Sequence, residues 1–221
     1  MASISANKTP YRQIRALFDN DTITVYQAYS STIATAAVEA QKLNTSPSFS
    51  TARMTWIKPS WAWVLYRSGY SYKDSRQSHI LALKLKREVF IGLLRRAVLS
   101  HGKGKEEDSG RKAKSEGREK PANVRVQWDP ERTIRLEKLE YRSIQIGIPG
   151  ALVKEFMDGI VGIEDVTERA RELKRVLDEE GEDGMIGIDE LIARRLVLNE
   201  REFDVDEELR EILAMDAGRD F

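Results

Sequence analysis

Hydrophobic positions fall into short runs, broken by polar, glycine- and proline-containing stretches, and each run follows one of two periods. Thr22–Tyr29 (TITVYQAY) is rich in β-branched and aromatic residues, the composition of a strand. Ser78–Lys86 (SHILALKLK) alternates, with Leu81, Leu83 and Leu85 on one face and Ile80, Ala82, Lys84 and Lys86 on the other. That pattern predicts a half-buried strand whose second face turns cationic. Met54–Ile57, Val124–Trp128 and Tyr141–Ile148 predict three more strands, with Asp129-Pro130 breaking the second into a turn. Ile160–Ile163 predicts a brief strand or turn. Helical spacing predicts helices over Ile33–Leu43, Glu88–Leu99, Ala151–Met157 and Glu164–Leu177. A further helix opens near Pro59, whose missing N–H costs nothing in a first turn, and runs to about Arg67. Tyr11–Asp21 reads as a helical turn or loop, and Leu191–Leu198 and Glu207–Met215 as short helices.

Charge divides the chain. Residues 1–100 carry 14 Lys+Arg against 5 Asp+Glu, whereas residues 121–221 carry 15 against 26. The first part is therefore the natural seat of an anionic ligand, a nucleotide or a nucleic acid; a basic face matched by an acidic one within one fold accounts for the asymmetry equally well. His101–Asn123 is nearly devoid of apolar residues and predicts a flexible insertion. Residues 178–221 predict an acidic C-terminal tail, weakly docked or disordered from Asn199 onward, and residues 1–10 a disordered leader.

At 221 residues the chain is long enough for one domain with a real core plus an appendage. It has no cysteine, which excludes disulfides, thiolate metal sites and a cysteine nucleophile, and only two histidines, too few for a histidine-built metal site. No apolar run approaches the roughly 20 residues of a membrane span, and the N-terminus lacks a secretory signal core, so an intracellular protein, cytoplasmic or nuclear, is expected. Walker A, GxGxxG, HExxH and GxSxG motifs are all missing.

What remains is a set of polar residues near strand ends. Arg53–Tyr70 concentrates three of the four tryptophans with Arg53, Lys58 and Arg67. Trp56, Trp61, Val64 and Leu65 have the character of core; the three cations do not. A strand turning into a helix at Pro59 points free N–H groups at one spot, a natural place for phosphate. Asp129 and Glu131, in the WDPER turn, are the most acid-like pair.

The runs IRALFDNDTITVYQAYS, RMTWIKPSWAWVLYRSG, VRVQWDPER and YRSIQIGI resemble the hallmark blocks of an uncharacterised domain family of bacteria and fungi, over roughly Tyr11–Leu177 without the insertion. The order of elements is also similar to that of ADP-ribosyltransferases related to diphtheria toxin and the poly(ADP-ribose) polymerases. That resemblance implies a single α+β domain over residues 11–177, with a mixed, strongly bent or split β-sheet flanked by helices. In that group a His-Gly-Ser/Thr block at the end of the first strand grips a ribose of NAD; here Gln27-Ala28-Tyr29-Ser30 stands in its place. The second strand of that group carries an aromatic residue, then a serine a few residues on, then a helix with a tyrosine; the stretch Thr55-Trp56-Ile57-Lys58-Pro59-Ser60, with Tyr66 in the helix, resembles that arrangement, with Trp56, Ser60 and Tyr66 in those places and Thr55 and Lys58 beside them.

The resemblance implies NAD as substrate with no metal, Trp56 as the nicotinamide platform, Gln27 and Tyr29 as ribose contacts, and Ser30 as a further NAD-binding residue. Arg53, Lys58 or Arg67 would clamp the pyrophosphate. The catalytic glutamate of that group has no counterpart in Tyr141–Ile148, which offers Arg142, Ser143 and Gln145. Either Asp129 or Glu131 supplies the carboxylate, or NAD is bound without efficient transfer. The implied activity is mono-ADP-ribosylation, with DNA or RNA as an acceptor that suits the basic surface. The alternatives are a non-catalytic nucleotide or nucleic-acid binding module, and an interaction domain acting through its acidic tail.

Overall fold

The computed structural model describes residues 9–100, 122–179 and 186–216. The insertion expected at His101–Asn123 and the leader expected at residues 1–10 lie largely outside them. Strand β1 (Arg15–Ala16) leads to β2 (Thr22–Tyr29) and helix α1 (Ser31–Ala40). The short β3 (Thr55–Ile57) turns into α2 (Trp61–Ser68), followed by β4 (His79–Lys86) and α3 (Arg87–Leu94). Next come β5 (Ala97–Leu99), β6 (Val124–Arg132), β7 (Lys138–Ile148), α4 (Gly150–Asp158), β8 (Ile160–Asp165) and α5 (Thr167–Glu179). The described chain closes with α6 (Ile188–Ala193), β9 (Arg201–Glu202) and α7 (Glu207–Ile212).

The strands form a three-stranded sheet, β2-β4-β8, a four-stranded sheet, β3-β7-β6-β5, and a small β1-β9 pair. Over the described residues the fold is α+β with no closed barrel. The two larger sheets meet where Tyr26 and Lys58 exchange backbone hydrogen bonds, Tyr26 N–H to Lys58 O at 2.7 Å and Lys58 N–H to Tyr26 O at 3.2 Å. That bridge sets the end of β2 beside the end of β3.

One core, built on Ile23, Val25, Leu81, Leu83, Leu85, Phe90, Ile144, Ile146 and Phe156, packs α1, α3 and α4 against the sheets. A second holds α2, α5 and α6 through Tyr26, Trp61, Leu65, Ile80, Ala82, Leu173 and Leu191. Strand β4 therefore contributes to both cores. Only Lys84 and Lys86 leave its second face exposed, so the half-buried reading of this strand is corrected for its first half.

Three further expectations are corrected. Helix α3 stops at Leu94, and Ala97–Leu99 becomes β5, which runs parallel to β6. Asp129-Pro130 does not end β6, because Pro130 sits at the irregularity where the register shifts before Arg132. The described acidic C-terminal residues, 186–216, are not a loose tail: Leu191, Phe203, Leu209 and Leu213 are all buried. Phe203 packs edge-on against Phe18 at 5.0 Å and Phe90 at 5.5 Å. From residue 199 to 216 eight acidic side chains coexist with docking, because Phe203, Leu209 and Leu213 between them are buried.

Candidate functional site

Where β2 and β3 meet, a cleft of about 760 Å³ opens beside the four-stranded sheet. Nine of the residues proposed from sequence line it: Gln27, Tyr29, Ser30, Arg53, Thr55, Trp56, Lys58, Arg67 and Gln145. Arg76, Gln77, Gln127 and the Ser48–Ser50 loop also line it, and none of these is singled out by the sequence analysis above. Arg76 and Gln77 lie in a single 3-10 turn, Ser75–Gln77, capped by the Asp74 side chain, which accepts the Arg76 N–H.

Local sequence explains the wall. Trp56 pairs with Gly147 across the β3–β7 ladder. A Cβ on Gly147 would stand 2.9 Å from the indole ring and 2.9 Å from Met54 Sδ, so the missing side chain lets the indole lie close to β7. By alternation Gly147 shares a face with Gln145, so Trp56 and Gln145 occupy the same side of the sheet. Gly150 performs a similar service at the start of α4, where a Cβ would meet the Ala52 carbonyl oxygen at 2.7 Å. The loop leading to Arg53 is packed onto α4 by that close approach.

Gln27 and Tyr29 are fastened within the protein. Gln27 Nε2 donates to Thr55 Oγ1 at 3.0 Å and to the Trp56 carbonyl at 3.1 Å, and its Oε1 accepts from Tyr29 Oη at 2.8 Å. Both amide hydrogens of Gln27 are thus committed to tying β2 to β3. Burial pushes the Tyr29 hydroxyl up to about 12, which keeps it a neutral donor. Ser30 precedes α1 but makes no side-chain cap, and the first turn of α1 has no acidic residue. The positive end of this ten-residue helix therefore opens on the cleft without an internal anion.

Lys58 is almost wholly buried at the cleft floor. Desolvation, reinforced by the charge of Arg67 and opposed by Asp129, brings its ammonium down to about 8. Gln145 Nε2 donates to Asp129 Oδ2 at 2.6 Å and to Gln127 Oε1 at 2.8 Å. Burial raises the pKa of Asp129, while Gln145, Arg142, Arg67 and Lys58 act in the opposite sense.

The other predicted residues lie outside the cleft. Glu131 is only 4% exposed, accepts the Arg132 N–H at 2.8 Å, and is also hydrogen-bonded by Ser60 and Ser143. Burial raises its pKa too. Ser60 caps α2 by accepting the Trp63 N–H at 3.1 Å. Tyr66 stacks on Trp63 at 5.1 Å beneath the Arg132 guanidinium, 3.8 Å from its ring. These contacts make Ser60 and Tyr66 supports of α2, not part of the cleft wall. Of the two acids that the sequence left open, Asp129 is the one coupled to the cleft.

Over residues 13–202 the chain matches the family described as a domain of unknown function, DUF4291. It belongs to that family. The DUF4291 match takes in every residue lining the cleft and runs on through α6 and β9. A search of curated proteins gives no significant match. Among the described residues no group of three or more His, Cys, Asp or Glu side chains is placed to hold a metal ion. No helix among them is long and apolar enough to cross a membrane.

Proposed function

We propose that the cleft binds NAD and that the protein is an NAD-dependent mono-ADP-ribosyltransferase. The observation that carries this reading is Asp129, held by Gln145 beside a cleft walled by Lys58, Arg53, Arg67 and Arg76. The meeting of two sheets at Tyr26 and Lys58 supports a split-sheet arrangement like that of the ADP-ribosyltransferases. Pyrophosphate is the group best matched to the cations and to the uncapped start of α1. Trp56 offers a face to nicotinamide on the sheet side that carries Gln145.

In this reading the bond between the ribose C1′ and the nicotinamide nitrogen breaks, and its electron pair leaves with neutral nicotinamide. The ribosyl cation is stabilised by the Asp129 carboxylate and then takes an electron pair from an acceptor oxygen or nitrogen, which gives up its proton. Gln145 fixes the carboxylate so that little reorganisation is needed as charge develops. Gln27 and Tyr29 hold the two sheets in register and are positioning residues.

One observation favours a second reading, a non-catalytic nucleotide or nucleic-acid module: no carboxylate among the described residues lines the cleft directly. Calorimetric titration with NAD, followed by a labelled-NAD transfer assay on protein, DNA and RNA, separates the two. Absence of NAD binding at millimolar ligand overturns the first; binding with no transfer to any acceptor supports the second.

A further inference from the structure

The loop Gly69–Ser78 joins α2 to β4, and its far end supplies Arg76 and Gln77 to the cleft. Its start is unusual. Gly69, Tyr70 and Ser71 all have positive φ, at 55°, 53° and 77°, and two of them are not glycine. Left-handed backbone at such residues costs about 1 kcal/mol or more each and persists only where the surroundings impose it. Here the surroundings do. The Tyr70 hydroxyl donates to the Ile134 carbonyl, and Ser71 is buried. Arg171 of α5 donates to Ser71 Oγ at 2.9 Å and to the Ser78 carbonyl at 3.3 Å, pinning both ends of the loop.

The strained start turns Tyr72 outward. It is 60% exposed, the most exposed of the large hydrophobic side chains described, while the Arg171 guanidinium lies 5.4 Å from its ring centre. The ring thus has a cation on one side, Arg171, which is also paired with Glu168 at 2.9 Å. The flanking sequence is cationic: from Arg53 to Ser78 the chain carries Arg53, Lys58, Arg67, Lys73 and Arg76 against Asp74 alone. Asp74 pairs with the exposed Arg76 at 2.6 Å, and Lys73 has no other carboxylate within the loop.

We propose that Tyr72 is a stacking platform for a base of a single-stranded nucleic acid, with Lys73 and Arg76 contacting its phosphates and the strand leading into the cleft. This rests on the transferase reading only in naming the strand as the acceptor. An exposed ring among cations suits a strand whose bases are free to stack, and not a duplex, whose bases are covered. Since Tyr72 does not line the cleft, NAD is not its ligand.

The test is fluorescence anisotropy with a labelled single-stranded RNA or DNA of about 12 nucleotides, without NAD. Tyr72→Ala should weaken binding by about 10-fold or more, whereas Tyr72→Trp should retain it. Replacing Lys73 and Arg76 together by Gln should lower the slope of log affinity against log salt by roughly 1.4. Unchanged NAD binding by Tyr72→Ala shows that the fold is intact. Equal affinity for duplex, wild-type affinity in Tyr72→Ala, or no oligonucleotide binding overturns the proposal. NAD binding without strand binding removes this proposal alone; strand binding without NAD binding removes the transferase reading alone.

Discussion

Gln145 Nε2 lies 2.6 Å from Asp129 Oδ2, and this amide fixes a carboxylate beside the cleft. The pairing follows from register: Asp129 stands opposite Ser143 and Gln127 opposite Gln145, so the three polar side chains share one sheet face. Asp129 must be ionised to stabilise a ribosyl cation, and burial raises its pKa. Transfer should therefore fall as pH drops through that raised value. Asp129→Asn should lower turnover by about 10²-fold or more with NAD affinity little changed, and Glu131→Gln should leave turnover within a few-fold. A pH–rate profile of both variants checks this.

Lys58 makes a separate prediction. Its pKa falls from 10.5 to about 8, so the fold favours the neutral amine. Stability from this group is absent below pH 8, where the ammonium is charged in both folded and unfolded chains, and is gained as pH rises from 8 towards 10.5. Lys58→Met should therefore stabilise the protein at pH 7, by on the order of 2 kcal/mol, while weakening NAD binding. An anion in the cleft should raise the Lys58 pKa again. Calorimetry between pH 8 and 10 in buffers of different ionisation enthalpy should then show proton uptake on binding.

Gly147 tests the platform. Gly147→Ala places a methyl 2.9 Å from the Trp56 ring, which must swing away. NAD affinity should drop about tenfold, a modest share of one aromatic contact, with the thermal midpoint lowered by only a few degrees. Tryptophan fluorescence quenching by NAD reads the same change.

The C-terminal segment makes two predictions. Phe203→Ala should destabilise the protein by about 3–5 kcal/mol in urea denaturation, since the ring is buried between Phe18 and Phe90. Glu200 accepts the Trp61 N–H at 2.7 Å, and burial, with the nearby Glu131, lifts its pKa well above 4.5. Its contribution to stability is full below pH 4.5 and is lost as pH rises towards the raised value. Glu200→Gln keeps the acceptor for Trp61 and should flatten that decline in a thermal-midpoint series against pH.

Much of this was legible because local pattern and tertiary role agree. Thr22–Tyr29, Ser78–Lys86 and Tyr141–Ile148 have strand composition and are strands. Pro59-Ser60 marks the start of α2, with Ser60 capping Trp63. Ala97–Leu99 was not legible, because three residues after a helix carry no periodicity and become a strand only through long-range pairing with Val124–Val126. Phe203 was hidden by its acidic neighbours. The choice between Asp129 and Glu131 was likewise beyond the sequence, since both sit in one strand and only packing under α2 separates the buried Glu131 from the cleft.

A crystal structure with NAD, or with an analogue that cannot release nicotinamide, tests the central claim most directly. The nicotinamide ring should lie on Trp56, the pyrophosphate against Lys58 and Arg67 or Arg53, and Asp129 should be the carboxylate nearest the ribose C1′. NAD bound elsewhere on the molecule, or in the cleft with Asp129 remote from that carbon, contradicts the account.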